Sequence, residues 1–199
     1  MKTLFKKFFL IVAITAGLYA VWYWPLTISL IKPTALRIIA PKAQAENINL
    51  ENNTLSYPRL GITAPVDVYP NSSPLDVRDW SSISTSLKRG VSLNFTNSSF
   101  SDSNFSFITG HSSDTYPHKY STVFAALGQA KEGDIIYLKI NNILNTFTVK
   151  SKDTLNPNNN SSFKSLQNNT PSNTHEIALV TCWPPPTTIN RLVVIATLN

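Results

Sequence analysis

Ile177–Ala178–Leu179–Val180–Thr181–Cys182–Trp183 is an apolar run that closes on the chain's only cysteine, and nine residues beyond that cysteine Arg191 opens another, Leu192 to Leu198. Short runs of this kind, bounded by turn-forming residues, read as β-strands. Working outward, the pattern recurs at Leu55–Tyr57 with Arg59–Ile62, Ala64–Tyr69, Gly90–Leu93, Phe105–Thr109, Asp134–Ile140 and Asn145–Lys150, beside Glu176–Thr181 and Arg191–Leu198. Asn141–Asn142 joins two of these runs as a hairpin, and Gly61–Ile62–Thr63 tightens the first pair. Helical signals are short: Leu75 to Lys88, Tyr120 to Leu127 and Ser161 to Gln167. Regularly spaced short strands with minor helices predict a mostly β domain, built as a small, mainly antiparallel barrel or sandwich.

Reactive groups collect at the edges of these strands. Cys182 ends one, Arg191 begins another, and Gly110–His111 follows Phe105–Thr109. A thiol, an imidazole and a guanidinium can supply a nucleophile, a proton shuttle and an oxyanion donor for acyl transfer. No histidine follows Cys182, so the base must come from His111, His118 or His175. His118 sits in the polar stretch Asp114–Thr115–Tyr116–Pro117–His118–Lys119, which reads as a loop. His175 stands seven strand residues before Cys182, more than about 20 Å at roughly 3.3 Å per residue. His111 is therefore the preferred partner, with a glycine before it that permits close backbone approach. Each group alone has a bland reading: a buried inert cysteine, a satisfied loop histidine, a solvent-facing arginine. No carboxylate is clearly placed to orient His111.

The formal charge of +6 does not describe a nucleic-acid binder. Lys2, Lys6, Lys7, Lys32, Arg37 and Lys42 precede any acid, while from Ala43 onward eleven bases face eleven acids. A neutral folded part lacks the basic stripe that phosphate backbones require. The basic end instead flanks a charge-free run, Phe8 to Ile31. As a helix that run would rise about 36 Å, enough to cross a hydrocarbon core of roughly 30 Å. Trp22, Tyr23 and Trp24 suit an interfacial belt, and the leading lysines place the N-terminus on the cytoplasmic side. A cleaved signal peptide fits less well, because Ala43–Gln44–Ala45 lies far beyond the apolar run.

The chain thus divides into a basic tip and membrane anchor (1–31), a linker (32–54) and a catalytic domain (55–199). A lone cysteine outside the cell cannot form an internal disulfide, and the context of Arg191 and His111 then favours a reactive thiol over an inert buried one. No cofactor is expected, and no metal: one cysteine and three scattered histidines show no zinc spacing, and Asp102 and Asp114 are isolated. Among six glycines there is no phosphate loop and no nucleophile elbow. Asn-rich stretches at 156–162 and 167–171 read as solvated loop. The 151–175 connection and the proline-rich 183–190 segment are the expected specificity loops, the first ordering on substrate and the second stiff.

The chain resembles a sortase, a membrane-anchored cysteine transpeptidase of bacterial surfaces. Tyr57–Pro58–Arg59–Leu60–Gly61–Ile62 with Ala64–Pro65–Val66 resembles the family's opening strand pair, and Leu87–Lys88–Arg89–Gly90–Val91 its next segment. Asn104 through Gly110–His111 resembles the histidine strand, and Gly133–Asp134–Ile135–Ile136 a hairpin opening. Leu179–Val180–Thr181–Cys182, with Arg191–Leu192–Val193–Val194 nine residues past the thiol, is the most specific match. The family's glycine-rich approach to the histidine strand is replaced here by Ser98–Ser99–Phe100–Ser101–Asp102–Ser103. The resemblance implies an eight-stranded barrel with Cys182 as nucleophile, His111 as general acid/base and Arg191 as oxyanion and substrate stabiliser. It also implies cleavage of surface proteins at a Leu-Pro-x-Thr-Gly type of motif, and transfer to an amine of a cell-wall precursor or pilin lysine. A hydrolase using the same site, and a non-catalytic anchored β-domain that scaffolds surface proteins, are the competing expectations.

Overall fold

The computed structural model describes residues 6–7, 10–21, 49–70, 80–95, 97–116 and 118–199. Helix α1 covers residues 10–21. The strands are β1 (Thr54–Tyr57), β2 (Ile62–Pro70), β3 (Val91–Phe95), β4 (Phe105–Thr109), β5 (Ile135–Ile140), β6 (Ile143–Leu155), β7 (Glu176–Trp183) and β8 (Asn190–Leu198). Helix α2 (Trp80–Arg89) precedes β3, and α3 (Asn160–Asn168) lies between β6 and β7. The strands close into a barrel in the order β1-β2-β3-β4-β7-β8-β6-β5. Only β2/β3 and β4/β7 pair in parallel; the remaining ladders are antiparallel, as expected of the sequence.

Turn chemistry explains the hairpins. Asn141 and Asn142 hold φ of 51° and 64° between β5 and β6, the left-handed pair that a two-residue hairpin needs. Arg59–Leu60, expected as strand, forms a 3-10 turn over Pro58–Leu60 instead. Pro58 sets a helical φ at its start, and Gly61 at φ 64° returns its N–H to the Pro58 carbonyl at 2.9 Å. The turn is tied to the barrel by Asp134, which accepts from the Tyr57 hydroxyl, the Arg59 guanidinium and the Lys131 N–H.

Strand β6 runs five residues further than its apolar run suggests, to Leu155. A bulge between Val149 and Ser151 resets the register, after which Ser151 pairs with Ile195 and Leu155 with Arg191. The extension is largely polar and is held by its ladder to β8, by Lys152 Nζ donating to the Gly128 and Ala130 carbonyls, and by Leu155 against the outer apolar layer.

Side-chain alternation places the core on both sides of the central strands. Ile177 and Leu179 of β7, with Leu192 and Val194 of β8, fill the barrel interior. Ala178 and Val180, with Val193 and Ile195, face outward with Phe105 and Phe107 beneath α3. Phe163 and Leu166 of α3, three residues apart on one helical face, close over this outer layer. Burial on both faces explains why β7 reads as an unbroken apolar run rather than an alternating one.

Within α1, Leu10, Ile11, Val12, Ile14, Leu18, Tyr19 and Val21 are all exposed. No helix among the described residues is long and apolar enough to cross a membrane. The remainder of the expected anchor, and the linker as far as Ile48, lie outside the described residues.

Candidate active site

The β4/β7 and β7/β8 ladders decide which reactive groups meet. Cys182 and Arg191 are direct cross-strand partners at the ends of β7 and β8. By alternation both continue the outward-facing line of Val180 and Val193, so thiol and guanidinium emerge on the barrel's outer face. On the other side of β7, Thr109 of β4 pairs with Val180, and the Gly110 N–H donates to the Val180 carbonyl at 3.1 Å. The Thr181 hydroxyl, 1% exposed, donates to the Gly110 carbonyl at 2.7 Å. Thr181 therefore latches the start of the His111 loop to the residue before the thiol. Gly110 also leaves room for an aromatic ring, since a Cβ there would lie 2.6 Å from the Phe124 side chain. With Gly110 bare, Phe124 packs close and donates its N–H to the His111 carbonyl at 2.8 Å.

The surroundings bias each group. Burial pushes the Cys182 thiol above its ordinary pKa, and the Arg191 cation opposes the rise. Burial lowers the His111 pKa, with Asp114 pulling it up and His118 pushing it further down. Arg191 donates from Nη1 to the carbonyls of Thr188 at 3.0 Å and Asn190 at 3.1 Å, which anchors the guanidinium to its own loop.

Two neighbours of His111 escaped the sequence reading. Asp114 Oδ2 lies 3.5 Å from His111 Nε2 and 3.2 Å from His118 Nε2. The two imidazoles stand edge to face, 5.6 Å between centroids. His118 is thus a half-buried partner of His111 instead of a remote loop residue, and Asp114 is the carboxylate that the sequence had not placed. Burial alone would raise the Asp114 pKa, but the Tyr116 N–H and the two imidazoles outweigh it and hold the carboxyl below its usual value. The sequence signal was Asp at His+3 and His at His+7, a spacing meaningful only once the loop curls back.

The third histidine behaves as expected. His175 sits at the far end of β7, packed between Phe100 at 4.5 Å and Phe147 at 5.8 Å between centroids. The connection expected to order on substrate already carries a docked helix, α3, although residues 156–159 beside it remain largely exposed. Trp183, directly after the thiol, packs against the core and lies over Gly128, where no Cβ obstructs the indole.

A sortase-domain family model matches residues 55–199, which include Cys182, His111 and Arg191. The chain belongs to the sortase family. Solved sortases share the barrel. Clostridium perfringens sortase C, solved with the C-terminal cell wall sorting motif, is 18% identical with a TM-score of 0.54, the match covering 95% of this chain and 97% of that one. Streptococcus pneumoniae sortase C is 18% identical with a TM-score of 0.57, over 87% of this chain and 88% of its own. Corynebacterium diphtheriae sortase A is 18% identical with a TM-score of 0.55, over 90% and 85%. At such identities the likeness is one of fold. No curated protein sequence matches the chain. Membership of the sortase family supports a sortase-type cysteine transpeptidase as the general activity.

Proposed function

We propose that this sortase cleaves a C-terminal sorting motif of surface proteins through a thioacyl-enzyme and passes the acyl group to an amine acceptor. The observation that carries the reading is the ladder that seats Cys182 opposite Arg191 while Thr181 latches the His111 loop alongside. In this reading Cys182 gives its proton to His111 and its sulfur attacks the scissile carbonyl. Arg191 holds the developing oxyanion with its forked guanidinium donors. His111 then returns the proton to the departing amine, leaving a thioester on Cys182. An incoming amine attacks that thioester, His111 takes up its proton, and the thiol is regenerated. Burial raises the thiol pKa and lowers that of the imidazole, so the surroundings favour the uncharged form of each group.

This substrate class is supported by the family and by the C-terminal cell wall sorting motif with which C. perfringens sortase C was solved. The acceptor is a cell-wall precursor amine or a pilin lysine. The run from Phe8 to Ile31 anchors the chain, with the N-terminus cytoplasmic and the catalytic domain outside. The exposed apolar side chains of α1 and the lysines ahead of it support that placement. Protease added to intact protoplasts should digest the domain, and protection of residues 55–199 would overturn the topology.

The enzymatic reading is tested by mass spectrometry of the chain incubated with sorting-motif peptides, with and without an amine. A thioacyl adduct on Cys182, chased by the amine, is the expected result. Undiminished cleavage by Cys182→Ala would overturn it.

A further inference from the structure

His111, Asp114 and His118 each offer a ligand atom, and these atoms all lie within 4.8 Å of one another. From this geometry we infer a binding site for a divalent transition-metal ion of the zinc class, formed by His111 Nε2, Asp114 Oδ2 and His118 Nε2, whose occupancy switches the transpeptidase off. Zinc–ligand bonds of about 2.0–2.1 Å in a tetrahedron put neighbouring ligand atoms roughly 3.3 Å apart. The two carboxylate-to-imidazole separations, 3.5 and 3.2 Å, bracket that edge. The imidazole-to-imidazole edge is at most 4.8 Å, so a ring swing of up to about 1.5 Å completes the face. The donor set selects the ion. Two imidazoles and one carboxylate suit zinc, cobalt or nickel, whereas calcium and magnesium require oxygen.

The carboxylate is already oriented, since Asp114 Oδ1 accepts the Tyr116 N–H at 3.3 Å and leaves Oδ2 to the two rings. All three side chains are about one-fifth exposed, 20%, 21% and 20% in chain order, so an ion can reach them from solvent. Loading has one local cost. The Tyr120 N–H points at His118 Nδ1 at 3.3 Å, so the metal-free ring accepts there and carries its proton on Nε2. A metal on Nε2 moves that proton to Nδ1, and the Tyr120 contact is lost.

The consequence for turnover is direct. With a metal on Nε2, a neutral His111 ring keeps its proton on Nδ1 and has no lone pair left to accept another. It can neither take the Cys182 proton nor pass one to a leaving amine. This inhibition rests on His111 being the general acid/base; the metal binding does not.

The test uses the full, untagged chain, freed of metal and titrated with cobalt(II) in the Cys182→Ala background, so that the thiol cannot serve as ligand. One cobalt per chain, with visible d–d absorption, is expected. His118→Ala and Asp114→Asn should each weaken uptake by at least the ~10- to 100-fold that losing even an outer-sphere partner costs. Absence of stoichiometric uptake, or uptake indifferent to both substitutions, would overturn the site. In chain retaining Cys182, zinc should block peptide cleavage and a chelator should restore it. The inhibitory zinc concentration should rise by the same factor in His118→Ala, measured against that variant's own rate. Stoichiometric uptake with unimpaired cleavage would overturn the switch and count against His111 as the base, while leaving the metal site standing.

Discussion

Gly128→Ala tests how the segment after the thiol is held. An added Cβ would lie 2.7 Å from Cζ3 and 3.2 Å from Cζ2 of Trp183, and closer still to Cη2. Carbon pairs settle at about 3.5–4.0 Å, so something must move by around an ångström. The turn cannot easily recede, because Lys152 Nζ donates to the Gly128 carbonyl at 2.6 Å and the Ala130 carbonyl at 3.1 Å. The indole must yield, yet it is packed against the core. Overpacking of this kind costs about 1–3 kcal/mol. A loss of about 2 kcal/mol would lower Tm by roughly 4–8 °C in a chain of this size. Gly128 does not occupy the left-handed region, so alanine brings no backbone strain to confuse the result. Thermal unfolding of Gly128→Ala, Trp183→Ala and the double variant isolates the contact. The Gly128 penalty should shrink by at least about 1 kcal/mol once the indole is gone. Because Trp183 adjoins Cys182, alkylation of the thiol should also change rate in the single variant and recover in the double. Equal penalties in both backgrounds, or a loss below about 0.5 kcal/mol, would refute the reasoning.

Arg191→Lys keeps the charge but loses the forked donor, so peptide cleavage should fall about 10²- to 10³-fold if the guanidinium holds the oxyanion; a near-normal rate would reduce Arg191 to a point charge. Asp134→Ala leaves Tyr57, Arg59 and the Lys131 N–H without their shared acceptor and should cost about 3 kcal/mol or more in denaturant unfolding. His175 has its pKa lowered from 6.5 by burial alone, so the unfolded chain binds its proton first and stability falls as pH drops below 6.5 toward the depressed value. His175→Phe, stacking between the same two rings, should flatten that part of the stability curve, and an unchanged slope would assign it to other groups.

Much of the β architecture could be read locally. Short apolar runs bounded by turn residues marked β4, β7 and β8, and paired asparagines marked the β5/β6 hairpin, because strand propensity and turn dihedrals are properties of a few adjacent residues. Local rules failed where a distant partner set the conformation. A bulge opposite β8 carried β6 through polar residues to Leu155, whereas the helix expected at Ser161 to Gln167 formed as α3, its place fixed by the apolar surface under Phe163 and Leu166.

The same division runs through the site. By itself the sequence determined the chemical cast: one thiol, three imidazoles and an arginine nine residues past the thiol, with chain order excluding a base downstream of Cys182. A nine-residue return with prolines in it already confines Arg191 to the neighbourhood of Cys182, so that pairing was legible. Only the tertiary structure decided that β4 lies parallel to β7, which brings the His111 loop to the thiol's end of the sheet. It alone decided that the loop closes Asp114 and His118 upon His111, and that Gly128 makes room for Trp183. The physical reason is that side-chain convergence depends on where strands far apart in sequence register, and register is fixed by burial over the whole barrel rather than by any one segment.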